Sequence, residues 1–181
     1  MSKNVLVLVE HADGKPKKTA AELFSVARSL AEKLGGEVHA VALGAGAAQA
    51  ATELGGLGAE RVYVAEAGLE RYGPLLWVRA IHEAVSIENP GAILMSAGTL
   101  SRDIAGRLAA RAGGVLASDC VELNVDAGKV VLTRPVFAGR VRVTVEQLAA
   151  GPLIATLRPN AFNVTPPKPG AGTAVPLSVA G

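Results

Sequence analysis

The sequence has a single cysteine, Cys120, among 181 residues. One thiol excludes an internal disulfide framework and any metal site made of cysteines alone. Aromatic residues are also scarce, at 3% of the chain, although 50% of the residues are apolar. The core must therefore be built mainly from valine, leucine, isoleucine and alanine side chains.

Long apolar runs are missing as well. No run approaches the roughly 18 residues that a membrane-spanning helix requires. The apolar run Val5–Val9 near the N-terminus is followed directly by Glu10, and it is too short for the core of a signal peptide. With no sign of a signal or transit peptide, and with one cysteine, we expect a bacterial, cytoplasmic protein.

Neither sign of charge dominates, since 18 basic residues face 16 acidic ones for a formal net charge of +2. A protein that binds a nucleic acid backbone usually concentrates basic residues on one face, so this balance argues against a nucleic acid partner. The three histidines, His11, His39 and His82, have no second ligand at metal-binding spacing. We therefore predict no metal site.

The sequence does contain an alternation of strand and helix patterns through its first two-thirds. Continuous apolar runs, typical of strands buried on both faces, alternate with amphipathic helical patterns. Such units predict a three-layer, Rossmann-like α/β fold, with a mostly parallel sheet and helices on both faces. The predicted strands are Val5–Val9, Val38–Leu43, Arg61–Ala65 and Ala92–Ser96, and the predicted helices begin near residues 19, 45, 74 and 102.

Local signals set the predicted ends of the first two helices. Thr19 and Glu22 have the spacing of a capping box, which predicts that Thr19 caps the first helix. Gly55 and Gly56 are predicted to end the second helix, because glycine disfavours the helical backbone. Residues 11–18 are predicted to form a polar loop.

The pattern changes after residue 114 and predicts a C-terminal antiparallel β portion. Asp119–Val125 and Lys129–Arg134 flank an Asp-x-Gly turn, as in a hairpin, and residues 140–146 alternate polar and apolar side chains like a half-exposed strand. Leu153–Leu157 is a further strand candidate. From residue 159 the proline- and glycine-rich sequence predicts an extended linker that packs poorly. We therefore divide the chain into an α/β domain over 1–158 and a linker or tail over 159–181.

Candidate binding residues follow the fourth predicted strand, since sites in parallel sheets lie at the carboxyl ends of strands. Gly98, Thr99, Ser101 and Arg102 combine small residues, hydroxyls and a cation at a helix start, which favours a phosphate or nucleotide contact. The simpler interpretation is a capped turn with Ser101 as the N-cap. Two groups of arginines would form an anion site or bind an acidic partner if they converge. They are Arg102, Arg107 and Arg111 on the helix, and Arg134, Arg140 and Arg142 near the hairpin.

Other classes of protein share parts of this pattern. Gly55, Gly58 and Gly68 have the spacing of the phosphate loop in universal-stress-like nucleotide-binding modules, but Leu69 occupies the hydroxyl position. Gly44–Gln49 starts like a dinucleotide fingerprint and ends in glutamine. No nucleophile has an identifiable base, which argues against a hydrolase and against catalytic residues of any kind. A stand-alone nucleotide-binding module remains the alternative.

Five segments, in order and at suitable separations, resemble the N-terminal domain of the electron transfer flavoprotein alpha subunit. The most specific is Thr133-Arg134-Pro135-Val136-Phe137-Ala138-Gly139, followed by Thr156-Leu157-Arg158-Pro159-Asn160-Ala161-Phe162. The others are Asn4–His11, the helix from Thr19 to Gly36, and the helix from Arg107 that leads to Ser118 and Asp119.

The resemblance implies an adenine nucleotide alpha hydrolase-like fold and a role in electron transport. Proteins of this kind are alpha–beta heterodimers that carry electrons on FAD from acyl-CoA dehydrogenases of fatty acid β-oxidation, and from related dehydrogenases, to an acceptor, commonly a membrane quinone oxidoreductase. Their N-terminal alpha domain packs against the beta subunit, and the flavin sits mainly on a C-terminal alpha domain that has no counterpart in this sequence.

For this chain, the resemblance implies an electron-carrier piece that is not itself an enzyme and binds no flavin. It assigns structural or interface roles to the matched residues, which are Ser118, Asp119, Arg134, Pro135, Gly139 and Arg158. Gly139 is expected to allow a bulge or the close approach of another backbone segment.

Overall fold

In the computed structural model, which describes residues 2–148 and 150–178, a seven-stranded sheet runs through the middle of the molecule. All of its strands are parallel, as predicted. In spatial order they are β12 (Thr173–Pro176), β5 (Arg61–Ala65), β4 (Val38–Leu43), β1 (Val5–Val9), β6 (Ala92–Ser96), β11 (Leu153–Leu157) and β7 (Val115–Cys120). The further strand candidate, β11, thus belongs to the parallel sheet, between β6 and β7.

In the described part of the chain, four helices cover the two faces of this sheet. Two of them, α1 (Thr19–Leu34) and α2 (Ala47–Leu57), pack on one face, and α3 (Pro74–Glu88) and α4 (Thr99–Ala112) pack on the other. Within the described ranges, none of the helices combines the length and apolarity needed to cross a membrane. The predicted three-layer architecture is confirmed.

The alternation of side chains along β1 shows how the two cores form. Val5, Val7 and Val9 join the core under α1 and α2, while Leu6 and Leu8 join the core under α3 and α4. Every residue of β1 is buried, because helices cover both faces of the central strand.

The first helix starts differently from the prediction. Lys18 occupies the N-cap position, and no side chain caps the helix. The carboxylate of Glu22 instead accepts the backbone N–H of Asn160, at 3.1 and 2.9 Å from its two oxygens. The predicted capping box at Thr19 is therefore wrong, because Glu22 binds the segment that follows β11.

The second helix continues past its predicted end. Gly55 and Gly56 lie inside α2, and Gly58, with φ +120°, ends it. A Cβ atom at Gly55 would lie 2.7 Å from the Cα of Gly172. Glycine is needed at residue 55 for the close approach of another segment, and not to end the helix.

A smaller antiparallel sheet lies beside the α1 face. It contains β8 (Glu122–Asp126), β9 (Lys129–Val136) and β10 (Val141–Glu146), in the order β10-β9-β8. This confirms the predicted hairpin, although its first strand begins at Glu122, because Asp119 belongs to β7 of the main sheet. In the predicted loop over residues 11–18, two short strands, β2 (His11–Ala12) and β3 (Lys15–Pro16), also pair.

Residues 163–178, which we call the strap, run back along the molecule from the end of β11. The Arg28 guanidinium donates to Thr165 Oγ1 at 2.8 Å, and the N–H of Gly170 donates to the carbonyl of Gly55 at 2.9 Å. The strap then forms β12, which pairs in parallel with β5. It packs against the domain, contrary to the prediction of poor packing, because backbone hydrogen bonds replace the apolar contacts that its composition lacks.

A buried polar cluster closes the amino ends of the strands. The Glu88 carboxylate accepts hydrogen bonds from Asn4 Nδ2 at 2.5 Å and from the Tyr63 hydroxyl at 2.7 Å, and it lies 2.7 Å from His39 Nδ1. Burial alone would raise the pKa of Glu88, but these partners lower it below the ordinary 4.5. Burial, reinforced by the bond to Glu88, raises the pKa of Tyr63 to about 12.

Candidate functional site

A β-bulge lies at the carboxyl end of β7. Ala117 is opposite Ala155 and Cys120 is opposite Leu157, so two residues of β7 face only Thr156 on β11. Asp119 has φ +60°, and its N–H donates to Thr156 Oγ1 at 2.7 Å. Aspartate tolerates this left-handed conformation better than most residues. The bulge directs the Asp119 carboxylate across the carboxyl ends of the strands.

The Asp119 carboxylate is bound by an arginine that follows the neighbouring strand. Arg158 Nε and Nη2 donate to its two oxygens at 3.0 and 2.6 Å. This bidentate bond is the main cause of the lowered pKa of Asp119, and the charges of Arg102 and Arg134 lower it further. We call these four residues the Asp119 cluster.

Arg134 reaches the cluster from the small sheet. The N–H of Val121 donates to the carbonyl of Thr133 at 2.8 Å, which attaches β9 to the end of β7. Pairing between β9 and β8 also ends at Thr133, so the missing N–H of Pro135 breaks no bond to β8. Arg134 Nε is buried and has no hydrogen-bond acceptor among the described residues.

The two predicted arginine groups converge only in part. One member of each group, Arg102 and Arg134, lies close enough to influence Asp119. Arg107 instead lies 3.6 Å from Asp103 on its own helix, and Arg142 donates to Glu122 at 2.8 Å on the outside of the small sheet.

The turn before α4 is capped, but by a different residue from the one that the sequence predicted. Gly98 is the N-cap, and the buried Ser101 hydroxyl accepts the Gly98 N–H at 2.9 Å and donates to the Gly98 carbonyl at 3.1 Å. Ser101 is therefore not the N-cap, and its hydroxyl is already bonded within the turn. A carboxylate oxygen of Glu10 also lies beside Gly98, while Thr99 is exposed.

The turn between β9 and β10 has an unusual backbone. Phe137, Ala138 and Gly139 have φ values of +50°, +54° and +85°, and the Phe137 side chain is 78% exposed. A Cβ atom at Gly139 would meet nothing within 4 Å. The positive φ therefore explains this glycine. Of the two reasons expected for it, a bulge or a close backbone approach, the second finds no approaching segment among the described residues.

Cys120 is fully buried next to the bulge, and burial raises the pKa of its thiol to about 11. Such a thiol is a poor nucleophile at neutral pH. Among residues 2–148 and 150–178, no three histidine, cysteine or acidic side chains gather into a cluster that could hold a metal ion.

A comparison with known protein families matches residues 5–180 to the electron transfer flavoprotein domain. The chain belongs to this family. It is 35% identical to Protein FixB of Rhizobium meliloti (strain 1021), over 87% of the chain and 46% of that protein. It is also 35% identical to the electron transfer flavoprotein subunit alpha of Syntrophomonas wolfei, over 96% of the chain and 53% of that protein, and 32% identical to that of Megasphaera elsdenii, over 93% and 51%.

The resemblance seen in the sequence is thereby confirmed, and the chain spans about half the length of the curated relatives it matches. Within this electron transfer flavoprotein domain, the matched segments that carry Asp119, Arg134 and Arg158 meet at one edge of the sheet. Thr156, whose hydroxyl holds the bulge, is not among the site residues predicted from the sequence. An Asp next to a Ser at the end of a strand was the one signal available, and it does not define a bulge.

Proposed function

We propose that this chain is the N-terminal, beta-subunit-docking domain of an electron transfer flavoprotein alpha subunit. In the cytoplasm of a bacterium, the complete heterodimer would carry electrons from acyl-CoA and related dehydrogenases to a membrane quinone oxidoreductase. Family membership supports the electron-transfer role. Five exposed large apolar side chains on or beside β7 and the small sheet, next to an apolar groove, support the docking role.

These apolar side chains lie on the small sheet, on the edge strand β7 and, in the case of Leu148, just after β10. Phe137 is 78% exposed and Leu148 is 89% exposed. Between β7 and the small sheet is a groove of about 300 Å³, lined largely by aliphatic side chains. Exposed apolar patches of this kind mark surfaces that bind other proteins. The remaining exposed residues of this surface are Leu116, Val141 and Val143.

The same groove does not suit FAD. The polar residues in its lining are Glu146 and Gln147, and no lysine or arginine lines it. A dinucleotide pyrophosphate needs backbone N–H groups at a helix start or cationic side chains. We therefore propose that the FAD of the complete protein binds outside this chain.

The alternative, a stand-alone nucleotide-binding module, loses its main support in this fold. Gly55 lies within α2, and a Cβ atom at Gly58 would lie 2.9 Å from the carbonyl oxygen of Lys168 in the strap. Both glycines are explained by packing of the strap, so no phosphate loop is needed to account for them.

The docking role is tested by mixing the purified chain with its beta subunit. We expect a colourless chain whose thermal unfolding midpoint rises when beta is added, because a ligand that binds only the native state stabilises it. Replacing Phe137 with serine should weaken binding by about 1–3 kcal/mol, or roughly fivefold to 150-fold in Kd, if this residue is a central contact.

Ile87→Ser is the matched control, since Ile87 is 56% exposed on α3, away from the small sheet. It should leave the affinity for the beta subunit unchanged. Tight binding of ATP by the chain, together with no measurable association with the beta subunit, would contradict the proposed function.

A further inference from the structure

The outer strands of the two larger sheets differ in how their edges are protected. An unpaired edge exposes backbone N–H and C=O groups that pair readily with another chain, and proteins usually block such edges with proline, charged side chains or a bulge. In the described part of the chain, the outer strands are β12 and β7 of the parallel sheet and β10 and β8 of the small sheet.

Proline blocks the outer edge of β12. The N–H of Thr173 donates to the carbonyl of Glu60 at 3.1 Å, so Thr173 pairs on the side of β5. Since alternate residues of a strand pair on the same side, the backbone groups of Ala174 and Pro176 face outward. Pro176 has no N–H, and this edge therefore offers an incoming strand only the N–H of Ala174.

Charged side chains protect the outer strands of the small sheet. On β10, Arg142 forms an ion pair with Glu122 at 2.8 Å, and Glu146 forms one with Lys129 at 2.5 Å. Glu122 itself lies on β8, which ends at Asp126. A strand added to either edge would have to pack beside these charges, which disfavours pairing.

The first four residues of β7 carry neither kind of protection. The N–H of Val115 donates to the carbonyl of Pro152 at 3.1 Å, so Val115 and Ala117 pair with β11. The backbone groups of Leu116 and Ser118 therefore point away from the sheet. Neither of these two N–H groups has an acceptor over residues 2–148 and 150–178. The β-bulge comes only at the end of this stretch, which contains no proline and no charged residue.

The apolar groove of about 300 Å³ runs alongside this open edge. Its lining includes Leu116 and Leu148, which also belong to the exposed apolar surface proposed for docking. The groove is thus continuous with that surface. The remaining aliphatic side chains of its lining are Val115, Ala117, Leu132, Val145 and Leu153.

We propose that an extended segment of the beta subunit pairs with the outer edge of β7 and places apolar side chains, at alternate positions, in this groove. This pairing, which rests on the proposed docking role, would give acceptors to the N–H groups of Leu116 and Ser118. Because side chains alternate along a strand, every second one of the added strand faces the groove. The carboxylate in the lining, Glu146, already binds Lys129, so the groove offers an acidic segment no cation.

The test is amide hydrogen exchange at single-residue resolution, measured by NMR on the chain alone and on its complex with the beta subunit. In the free chain, the amides of Leu116 and Ser118 should exchange fast, because they are unpaired. In the complex they should slow about tenfold or more, while the outward amide of Ala174 on β12 stays fast.

The outcomes separate strand pairing from docking. If the complex forms and the amides of Leu116 and Ser118 stay fast, pairing at β7 is overturned and the docking role is unaffected. If no complex forms, the docking role is contradicted, and pairing with it.

Variants at one position separate the backbone from the side chain. Leu116→Pro removes an outward N–H at an edge, where proline is best tolerated, and should raise the Kd for the beta subunit about tenfold or more. Leu116→Ile keeps the N–H and a side chain of the same volume, so its Kd should stay within about twofold of the parent value. Equal weakening by the two variants would overturn the pairing.

Ala174→Pro is the matched control on the opposite edge, since it also removes an outward N–H. Its Kd should stay within about twofold of the parent value, and weakening equal to that of Leu116→Pro would contradict pairing at β7. If Leu116→Pro does not fold, the exchange measurement on the unaltered chain still decides the outcome.

A second copy of this chain is the competing occupant of the edge. Analytical ultracentrifugation of the isolated chain should show a monomer at all concentrations at which the amides of Leu116 and Ser118 exchange fast. A concentration-dependent dimer in which these two amides slow would assign the edge to a second copy and overturn pairing with the beta subunit.

Discussion

Glu88 is an almost fully buried carboxylate with two hydrogen-bond donors and one histidine ring nitrogen close to its oxygens. Asn4, Tyr63 and His39 reach it from three different strands or strand ends, at 2.5–2.7 Å. These partners stabilise the ionised form more than burial destabilises it, so the pKa of Glu88 is lowered. Glu88 therefore joins the amino ends of β1, β4 and β5 to the last turn of α3.

This arrangement predicts a pH-dependent contribution to stability. A lowered pKa in the folded state means that the contribution is full above the ordinary value of 4.5 and is lost as the pH falls through the lowered value. Glu88→Gln should lower the free energy of unfolding by about 2 kcal/mol at pH 7, because it leaves a buried donor without a charged acceptor.

Urea unfolding of both proteins at pH 7 and at progressively lower pH measures this effect. The difference between Glu88→Gln and the parent chain should shrink as the pH falls below 4.5 and through the lowered pKa of Glu88. Glu53→Gln on the exposed side of α2 serves as the control and should change stability little at any pH. A Glu88→Gln deficit that stays constant down to acid pH would contradict the ionised role of Glu88.

At the scale of elements, the strap depends on glycines that allow its backbone to touch α2. Gly55 and Gly56 are neighbours in this helix, but their surroundings differ. A Cβ atom at Gly55 would lie 2.7 Å from Gly172 Cα, whereas one at Gly56 would meet nothing within 4 Å.

Replacement of each glycine by alanine separates helix propensity from packing. Gly56→Ala should raise the free energy of unfolding by about 0.5–1 kcal/mol, because alanine favours the helix. Gly55→Ala brings the same gain in helix propensity. It should nevertheless lower the free energy of unfolding by about 1–3 kcal/mol, because the added methyl group pushes the strap away. Urea unfolding and amide exchange at Gly170 and Gly172 measure both effects. If both changes stabilise the protein equally, the strap is not packed closely against α2.

The elements differ in how far their sequence reveals them. The four parallel strands from β1 to β6 follow from continuous apolar runs, because a strand covered on both faces needs no polar positions. The strap has no such pattern. Its structure depends on backbone hydrogen bonds and on contacts with residues more than a hundred positions away, such as Arg28 with Thr165. Composition alone therefore predicts a linker.

The candidate site, too, could be predicted from the sequence only in part. Hydroxyl and arginine residues at the ends of strands point to the correct edge of the sheet, since carboxyl ends of parallel strands share an edge. Only Arg102 of the residues predicted after β6 belongs to the cluster. The bulge at Asp119 could not be read from periodicity, because one extra residue in a strand changes its register without changing its composition.

At the scale of the whole molecule, burial is distributed unevenly between the two sheets. Every residue of β1, β6 and β11 is buried, whereas five of the six residues of β10 are exposed. Local opening requires less free energy where few apolar contacts must be broken. The molecule thus combines a closely packed parallel sheet with a small sheet that has less tertiary support.

Amide hydrogen exchange should reproduce this difference. We expect the backbone amides of β1 and β6 to exchange only by global unfolding and those of β10 to exchange through local opening, many times faster. If the beta subunit docks on the small sheet, its addition should slow exchange in β10 and leave β1 unchanged. Slow exchange in β10 of the isolated chain would contradict this description.

The position of β11 between β6 and β7 has a consequence for synthesis on the ribosome. In the main sheet, β7 is hydrogen-bonded to β11 alone. During synthesis, β7 and the whole small sheet therefore leave the ribosome before β11, the strand that joins them to the rest of the domain. Until residue 157 leaves the exit tunnel, β6 presents an unpaired edge, and such edges are where nascent chains associate wrongly. Coverage of the β6 edge during translation thus waits on the five-residue strand β11.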